Sequence, residues 1–199
     1  LKAEETYSYV AVKAGYVTKK DTISVTEDTE KTITMEKAPE STRKDVSAAW
    51  KNFRNSDDNM GITSAKTPTS EATTYEKWFK KLGSGWGAAP SVQIIVDNSL
   101  IVMSANHIYK LDLNTGDILQ TGDMVAATNF GYTPPTYADG MIFAPLADGR
   151  VQAFNAETLE SLWVYQDTLK GQSLSPITYS DGYIYTGFWN CLLYTSDAA

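Results

Sequence analysis

The chain has 199 residues, enough for one large domain or two small ones. Hydrophobic residues make up 42% of the sequence and aromatic residues 12%, which favours a packed core over disorder. The 17 basic and 24 acidic residues give a net charge of −7, which argues against a phosphate-binding surface and therefore against nucleic acid as a partner. One cysteine, Cys191, and one histidine, His107, exclude an internal disulfide and any site that needs two thiolates or two imidazoles.

The first 37 residues read as the end of a small β-sandwich. Residues 7–12, 21–25 and 31–35 alternate polar or small residues with apolar ones, and they are rich in Val, Ile, Thr and Tyr. That period of two predicts half-buried strands. The pattern resembles the last strands of immunoglobulin-like or transthyretin-like (PEGA-type) modules of bacterial surface proteins. Three short strands cannot hold a core alone, so we expect the start of this module to be missing.

Two polar stretches separate this module from the rest of the chain. Residues 38–48 are charged and open with Pro39, which predicts an interdomain linker. Residues 62–76 hold few large apolar residues and predict a surface excursion. No apolar run approaches the roughly 18 residues of a membrane-spanning helix.

From Trp78 onward the sequence repeats itself with a period of about 42 residues. A two-residue turn followed by three apolar residues begins at Asp97, Asp139 and Asp181, which lie 42 residues apart. A second series keeps nearly the same spacing: Trp78, Gln120 and Trp163. Two markers with one period indicate a propeller or a solenoid, and the 3.6-residue period of a helical solenoid is missing.

Within one unit, four short strands are predicted at residues 91–96, 99–104, 107–113 and 117–121. Tight turns join them, with Asp97-Asn98 suited to a type I′ or II′ hairpin. The second strand is apolar without alternation, as expected for a sheet covered on both faces. The sequence therefore predicts an all-β fold, an incomplete β-propeller of four-stranded blades over residues 49–190, preceded by a partial β-sandwich.

The repeat resembles the quinoprotein-like, or PQQ-like, β-propeller family. The family consensus runs Ala-x-Asp-x-x-x-Gly-x-x-x-Trp across the third and fourth strands. Blade one matches it at Asp112 and Gly116, and blade two at Ala153 and Trp163, with Asn155 at the Asp position. Segment 50–55 also resembles the stretch that opens many such propellers. These markers have structural roles: Gly116 for a positive φ, Asp112 and Asn155 for turn amides, and Trp163 for packing between blades.

A binding surface is predicted where the chain enters each blade. The segments at Trp86, Tyr132 and Gln172 each lead into an innermost strand, so we expect them at one mouth of the central channel. Aromatic platforms with small neighbours suit flat sugar or peptide surfaces, although such aromatics also serve as simple loop anchors.

Two other features are candidate sites to which we assign no function. Residues 55–61 place oxygen-bearing side chains at alternate positions, which suits calcium, but Met60 and Lys66 stand where an EF-hand has Gly and Glu. A solvated loop is the better interpretation. His107 has no acidic or thiol partner nearby in sequence.

The leading functional prediction is a non-enzymatic, secreted or cell-surface propeller that acts as a scaffold or binds a protein or polysaccharide. Residues 1–58 carry a net charge of −1 and residues 59–199 carry −6, so the propeller half is unfavourable for nucleic acid. One version is a relative of the propellers that help to assemble outer-membrane proteins. The sandwich module favours instead a Gram-positive type of surface protein.

The competing prediction is a fragment of a quinone-dependent dehydrogenase whose active site lies in blades outside this sequence. The resemblance implies that such members hold pyrroloquinoline quinone over a calcium ion, often beside two adjacent cysteines. This chain has no cysteine pair, so we predict no catalytic, cofactor or metal residue in it.

The two ends of the sequence lead to predictions about the natural protein. Residues 191–199 (CLLYTSDAA) resemble a sequencing adapter translated in frame, and we expect them to be a non-biological scar. We also expect the natural chain to continue on both sides. An open ring leaves blade faces uncovered, so the isolated chain is expected to be unstable or to aggregate.

Overall fold

Antiparallel pairing between strands that are neighbours in sequence builds the whole fold. The computed structural model describes residues 5–11, 16, 19–28, 30–37, 44–128, 133–173, 175–190 and 192–197. Four sheets are present in these residues, one hairpin near the N-terminus and three larger sheets after it. The fold is therefore all-β, as predicted, and the three larger sheets are blades of an incomplete propeller.

The N-terminal hairpin pairs β1 (Glu5–Ala11) with β2 (Lys19–Val25). Residues 31–35 form no strand, contrary to the sequence prediction. Instead, the Lys31 ammonium group donates hydrogen bonds to Asp21 Oδ2 (3.3 Å) and to the carbonyl of Thr22 (2.9 Å). Side-chain contacts thus hold this segment beside β2, and the assignment of residues 1–37 to a sandwich module stays a prediction.

Blade one has five strands in the order β3-β4-β5-β6-β7. Their bounds are Ala48–Trp50, Ile94–Val96, Ser99–Ser104, His107–Asp112 and Ile118–Asp123. The four predicted strands of this blade are thus present within a few residues. The added strand β3 begins inside the segment predicted as linker, of which the structure describes only residues 44–48.

Blade two repeats the arrangement with β8 to β11, and blade three has β12 to β14. Their bounds are Thr136–Ala138, Met141–Leu146, Arg150–Asn155, Ser161–Gln166, Thr178–Ser180, Tyr183–Gly187 and Leu193–Asp197. The last strand lies in the tail 191–199, whose suggested origin as a scar stays a prediction.

The core lies between the blades, and its apolar side chains come from facing sheets. One buried cluster joins blades one and two and includes Ile101, Ile142 and Phe154; another joins blades two and three and includes Phe143 and Ile184. All six residues of β9 are buried because blades cover both of its faces. Burial of both sheet faces explains why the second strands of blades one and two lack polar alternation.

Residues around Trp78 form no strand, although the sequence predicts an outer strand there. In the described part of the chain, no strand pairs with this segment. Trp78 nevertheless packs on blade one, where its indole N–H donates to the carbonyl of Leu113 at 3.2 Å. None of the described helices has the length and hydropathy of a membrane-spanning segment.

Candidate binding end of the propeller

Two sets of loops meet at one end of the blades. One set leads into each first strand, and the other joins the second strand to the third. Backbone hydrogen bonds tie the two sets together, such as Asp167 N to Gly149 O (2.8 Å) and Trp189 N to Gln172 O (2.9 Å). We call this the loop end. Its backbone is fixed by the sheets, so its side chains project from a rigid frame.

Trp86 lies at the loop end of blade one with 78% of its surface exposed. It begins a 3₁₀ turn (Trp86–Ala88) that follows Gly85, whose φ of +76° few other residues adopt. The hydroxyl of Ser104 donates to the carbonyl of Ala88 at 2.7 Å and anchors this turn to the end of β5. The indole ring is therefore presented to solvent on a fixed backbone.

Of the other two predicted site residues, Gln172 and Tyr132, the structure describes only Gln172. Gln172 lies at the loop end of blade three, where its carbonyl accepts the Trp189 amide, and its side chain is half-buried. Tyr132 lies outside the described residues. The structure thus places Trp86 and Gln172 at the same end, two blades apart.

Sequence reasoning missed Leu169 and Trp189 at this end. Their side chains are 64% and 73% exposed, beside the half-buried Gln172. Trp189 lies two residues after the end of β13, and the adjacent aromatic residues Phe188 and Trp189 were the sequence signal that could have found it. Large exposed apolar side chains in a loop cluster mark interaction surfaces.

The carboxylate of Asp167 holds this part of the loop end together. It is buried, and it accepts hydrogen bonds from the Tyr194 hydroxyl (2.8 Å) and the Asn190 side-chain amide (3.0 Å). Burial raises the pKa of Asp167, but these bonds and the backbone amides of Gly171 and Leu169 outweigh it and hold the pKa below its usual value. An ionised Asp167 thus fixes the loops that carry Leu169 and Trp189.

Two of the repeat markers, Asp112 and Asn155, lie at the opposite end of the blades, in the turns between third and fourth strands. Asp112 Oδ1 accepts the amides of Asn114 (2.7 Å) and Thr115 (2.9 Å). Asn155 Oδ1 accepts those of Glu157 (2.8 Å) and Thr158 (3.2 Å). The same polar cap therefore forms in both turns.

The other two markers are Gly116, in the turn between β6 and β7, and Trp163, in β11. Gly116 has a φ of +72°, and its position in blade two is taken by Leu159, which also has a positive φ of +55°. Trp163 packs in the cluster between blades two and three, 5.8 Å from Phe143 between ring centroids. Its indole N–H is buried and has no hydrogen-bond partner among the described residues.

The candidate residues for metal binding or acid–base chemistry form ion pairs and hydrogen bonds with other side chains. In the 55–61 loop, Asp57 pairs with Lys51 at 2.6 Å and accepts from Asn52. His107 Nε2 lies 3.5 Å from Asp123 Oδ1, and Lys20 reaches the other oxygen of that carboxylate at 2.5 Å. In the part of the chain that the structure describes, no three His, Cys, Asp or Glu side chains are grouped to hold a metal.

Solved structures with similar folds include propellers of different activity. BamB from Moraxella catarrhalis is 22% identical over 53% of this chain and 32% of its own, with a TM-score of 0.46. The quinohemoprotein alcohol dehydrogenase ADHIIG from Pseudomonas putida HK5 is 17% identical over 75% of this chain and 25% of its own, with a TM-score of 0.54. The computationally designed Ika8 protein is 17% identical over 55% of this chain and 33% of its own, with a TM-score of 0.47.

The chain spans about a third of the length of that BamB and a quarter of the dehydrogenase. At 17% identity the likeness to the dehydrogenase concerns the fold alone. The sequence matches no curated protein at a significant level. A family model does match, over residues 70–190, and its description is outer membrane protein assembly factor BamB. The matched range is more than half of the chain and includes strands β4 to β13, and the chain therefore belongs to this PQQ_2 family of β-propellers.

Proposed function

We propose that the chain is part of a non-enzymatic propeller that binds a protein or polysaccharide through its loop end. The observation that carries the proposal is the pair of indole rings there: Trp86 and Trp189 are 78% and 73% exposed, although the backbone near Trp86 is hydrogen-bonded to β5 and that of Trp189 to the loop residue Gln172. Rigid exposed tryptophans lose little conformational entropy on binding and dominate many interfaces.

The family supports a scaffolding role, because its description names an assembly factor of the outer membrane. A site outside the cytoplasm, secreted or at the cell surface, agrees with that description. The acidic balance of −7 disfavours nucleic acid as the partner. The partner class is therefore a protein or glycan surface with flat apolar patches that can stack on indole rings.

The test is binding of the 199-residue chain, kept dilute, to peptide and glycan arrays, followed by titration of each positive ligand. Trp86→Ala and Trp189→Ala are expected to weaken binding about 30-fold, the effect of a hot-spot residue worth about 2 kcal/mol. Phe79→Ala is the matched control, because Phe79 is 76% exposed but lies outside the loop end. Equal binding by all three variants would reject the loop end as the site.

The alternative, a quinone-dependent dehydrogenase, is separated by a different measurement. The full-length natural protein is mixed with pyrroloquinoline quinone and calcium, because the active site of this alternative lies in blades outside the present sequence, and dye reduction is followed with primary alcohols as substrates. Our proposal expects no dye reduction above that of free quinone. Alcohol-dependent reduction that requires the protein would reverse the assignment.

A further inference from the structure

The first strand of every blade has an edge that points away from the rest of the sheet, which we call the inner edge. Each first strand ends at a two-residue turn in which both residues have positive φ: Asp97-Asn98, Asp139-Gly140 and Asp181-Gly182. In such a hairpin the residues next to the turn exchange hydrogen bonds, and the pair before them does not. The N–H and C=O groups of that next residue therefore point to the inner edge.

These residues are Ile95, Tyr137 and Tyr179, which hold one register position in the three blades. The structure bears out the direction at Tyr137, whose amide donates outward to the carbonyl of Lys51 at 2.7 Å. Each blade thus offers a short row of backbone groups to anything that lies along its inner edge.

On blade one the chain itself fills this edge. Strand β3 pairs with β4 through Ala48 opposite Val96 and Trp50 opposite Ile95. The amide of Asp97 adds a bond to the carbonyl of Ser47 at 2.9 Å. Segment 45–51 is therefore an extended peptide added to the sheet, and its end continues onto the inner edge of blade two.

The added segment has the alternation of an amphipathic strand. Val46, Ala48 and Trp50 are half-buried against the core between blades one and two, whereas Ser47 and Ala49 are exposed. The Tyr137 hydroxyl fixes it further, because it donates to Asp45 Oδ1 and accepts the amide of Val46, both at 2.7 Å. This edge therefore accommodates a strand with an apolar residue at every second position.

On blade three the same edge is open. Strand β12 is the terminal strand of its sheet, and no other described strand pairs with its inner edge. Tyr137 beside the added segment is 4% exposed, but Tyr179 at the same position is only half-buried. The Thr136 hydroxyl donates to the carbonyl of Ile177 at 2.7 Å, so the edges of β8 and β12 lie side by side.

We propose that the inner edge of β12 binds an extended segment of a partner protein by strand addition, and that this segment alternates apolar and polar residues. The inference rests on the proposed binding function and names the partner class: an unfolded or flexible amphipathic strand, held through its backbone. Main-chain bonds to Tyr179 supply the affinity, and apolar side chains at every second position supply the register.

The probe is a fluorescein-labelled peptide with the sequence of residues 45–52 (DVSAAWKN), titrated into the 199-residue chain by anisotropy. The tethered segment keeps blade one filled, because its effective concentration exceeds that of a dilute peptide. A series of peptides carries one N-methyl group at each successive amide. Methylation at every second amide is expected to weaken binding about tenfold, and methylation between them to leave it unchanged.

Two variants locate the site. Tyr179→Pro removes the amide that points to the inner edge and is expected to weaken peptide binding about tenfold. Tyr179→Val is the matched control, because it loses the same ring and hydroxyl but keeps the amide, and it is expected to bind like the parent. If the proline variant fails to fold, the methylated peptides still decide the question.

Several results would overturn the inference. The first is that no peptide binds. The second is that the effect of N-methylation does not alternate along the peptide. The third is that both Tyr179 variants bind the peptide equally. Binding that is lost in Trp86→Ala but kept in Tyr179→Pro would support the loop end and reject the strand edge. A chain dimer that the peptide dissociates would make a second copy the occupant and would reject a separate partner.

Discussion

Gly116 lies against the segment that joins β3 to β4, at the ring of Trp78. A β-carbon added there would lie 2.5 Å from a ring carbon of Trp78, and the backbone φ is +72°. Gly116→Ala is therefore expected to lower the free energy of unfolding by about 2–4 kcal/mol, since it adds overpacking to backbone strain. Urea denaturation followed by tryptophan fluorescence measures it.

Gly182 is the matched control for this substitution. Its φ is +83°, and an added β-carbon would meet no atom within 4 Å. Gly182→Ala therefore carries the backbone cost alone, about 1 kcal/mol. If the two variants lose the same stability, Trp78 is not docked on Gly116 as described.

Asp112 and Asn155 cap equivalent turns with different chemistry, which predicts a difference in acid sensitivity. The amides of Thr115 and Asn114 hold the pKa of Asp112 below its ordinary value of 3.8. The cap therefore stabilises the fold fully above that value, and the contribution is lost as the pH falls through the lowered pKa. Asp112→Asn is expected to reduce the loss of stability below about pH 4 and to change little at neutral pH.

The measurement is thermal unfolding of the parent and the variant across the acid range. Asn155→Asp is the reverse control, because it places a titrating group in the blade-two turn and is expected to make the chain more acid-sensitive. Other carboxylates with lowered pKa, such as Asp167, titrate equally in all three proteins. Identical pH profiles would show that the cap does not depend on the charge of Asp112.

The same turn carbonyl accepts a side-chain donor in blades one and two, but the donor differs. The Trp78 indole reaches the carbonyl of Leu113 in blade one, whereas Lys110 Nζ reaches the carbonyl of Ala156 in blade two at 3.3 Å. Leu113 and Ala156 hold the same position in the repeat. Lysine thus replaces tryptophan as the donor that joins blades one and two.

Two residues that face each other across the third and fourth strands both differ between blades one and two. Ala153 faces Trp163 in blade two, and Lys110 faces Gln120 in blade one. The small alanine leaves room for the indole ring, whereas the long lysine fills that space and supplies its own donor. A degenerate consensus in sequence is therefore a second solution to one packing problem.

A double-mutant cycle tests this compensation. Lys110→Ala is expected to cost about 1 kcal/mol, because the carbonyl of Ala156 loses its donor. Lys110→Ala with Gln120→Trp combines the alanine–tryptophan pair of blade two with an indole donor like that of Trp78, and it is expected to regain that stability with a coupling energy of about 1–2 kcal/mol. Additive effects of the two substitutions, measured by denaturant unfolding, would contradict the exchange.

The sequence was sufficient to predict the blades because their strands are local. The apolar runs after Asp97, Asp139 and Asp181 lie between turns that only a tight hairpin explains, so period and turn chemistry locate them. Strand β3 escaped prediction, because Ala48–Trp50 is short and pairs with a strand more than 40 residues away. Long-range pairing of that kind leaves no periodic signal.

The candidate site was only partly predictable for a related reason. Trp86 and Gln172 precede first strands and were found from the repeat. Leu169 and Trp189 reach the loop end through contacts with Asp167 and Gln172, which the spacing of residues does not reveal.

At the scale of the whole molecule, exposure of equivalent positions shows where the blades stop covering one another. Met141 and Phe143 in blade two are 2% and 0% exposed, because blade three covers them. Tyr183 and Tyr185 occupy the same positions in blade three and are 48% and 38% exposed. An apolar sheet face of this kind is a site of association between chains.

We therefore expect the 199-residue chain to associate in a concentration-dependent way through this face, as sedimentation velocity would show. Tyr183→Lys with Tyr185→Lys is expected to keep the chain monomeric, because the two ammonium groups remain in water. Met141→Lys with Phe143→Lys places the same charges between blades and is expected to unfold the chain, since each unpaired buried charge costs several kcal/mol. A parent chain that stays monomeric at every concentration and melts sharply would contradict this prediction, because the exposed face of blade three would then not drive association.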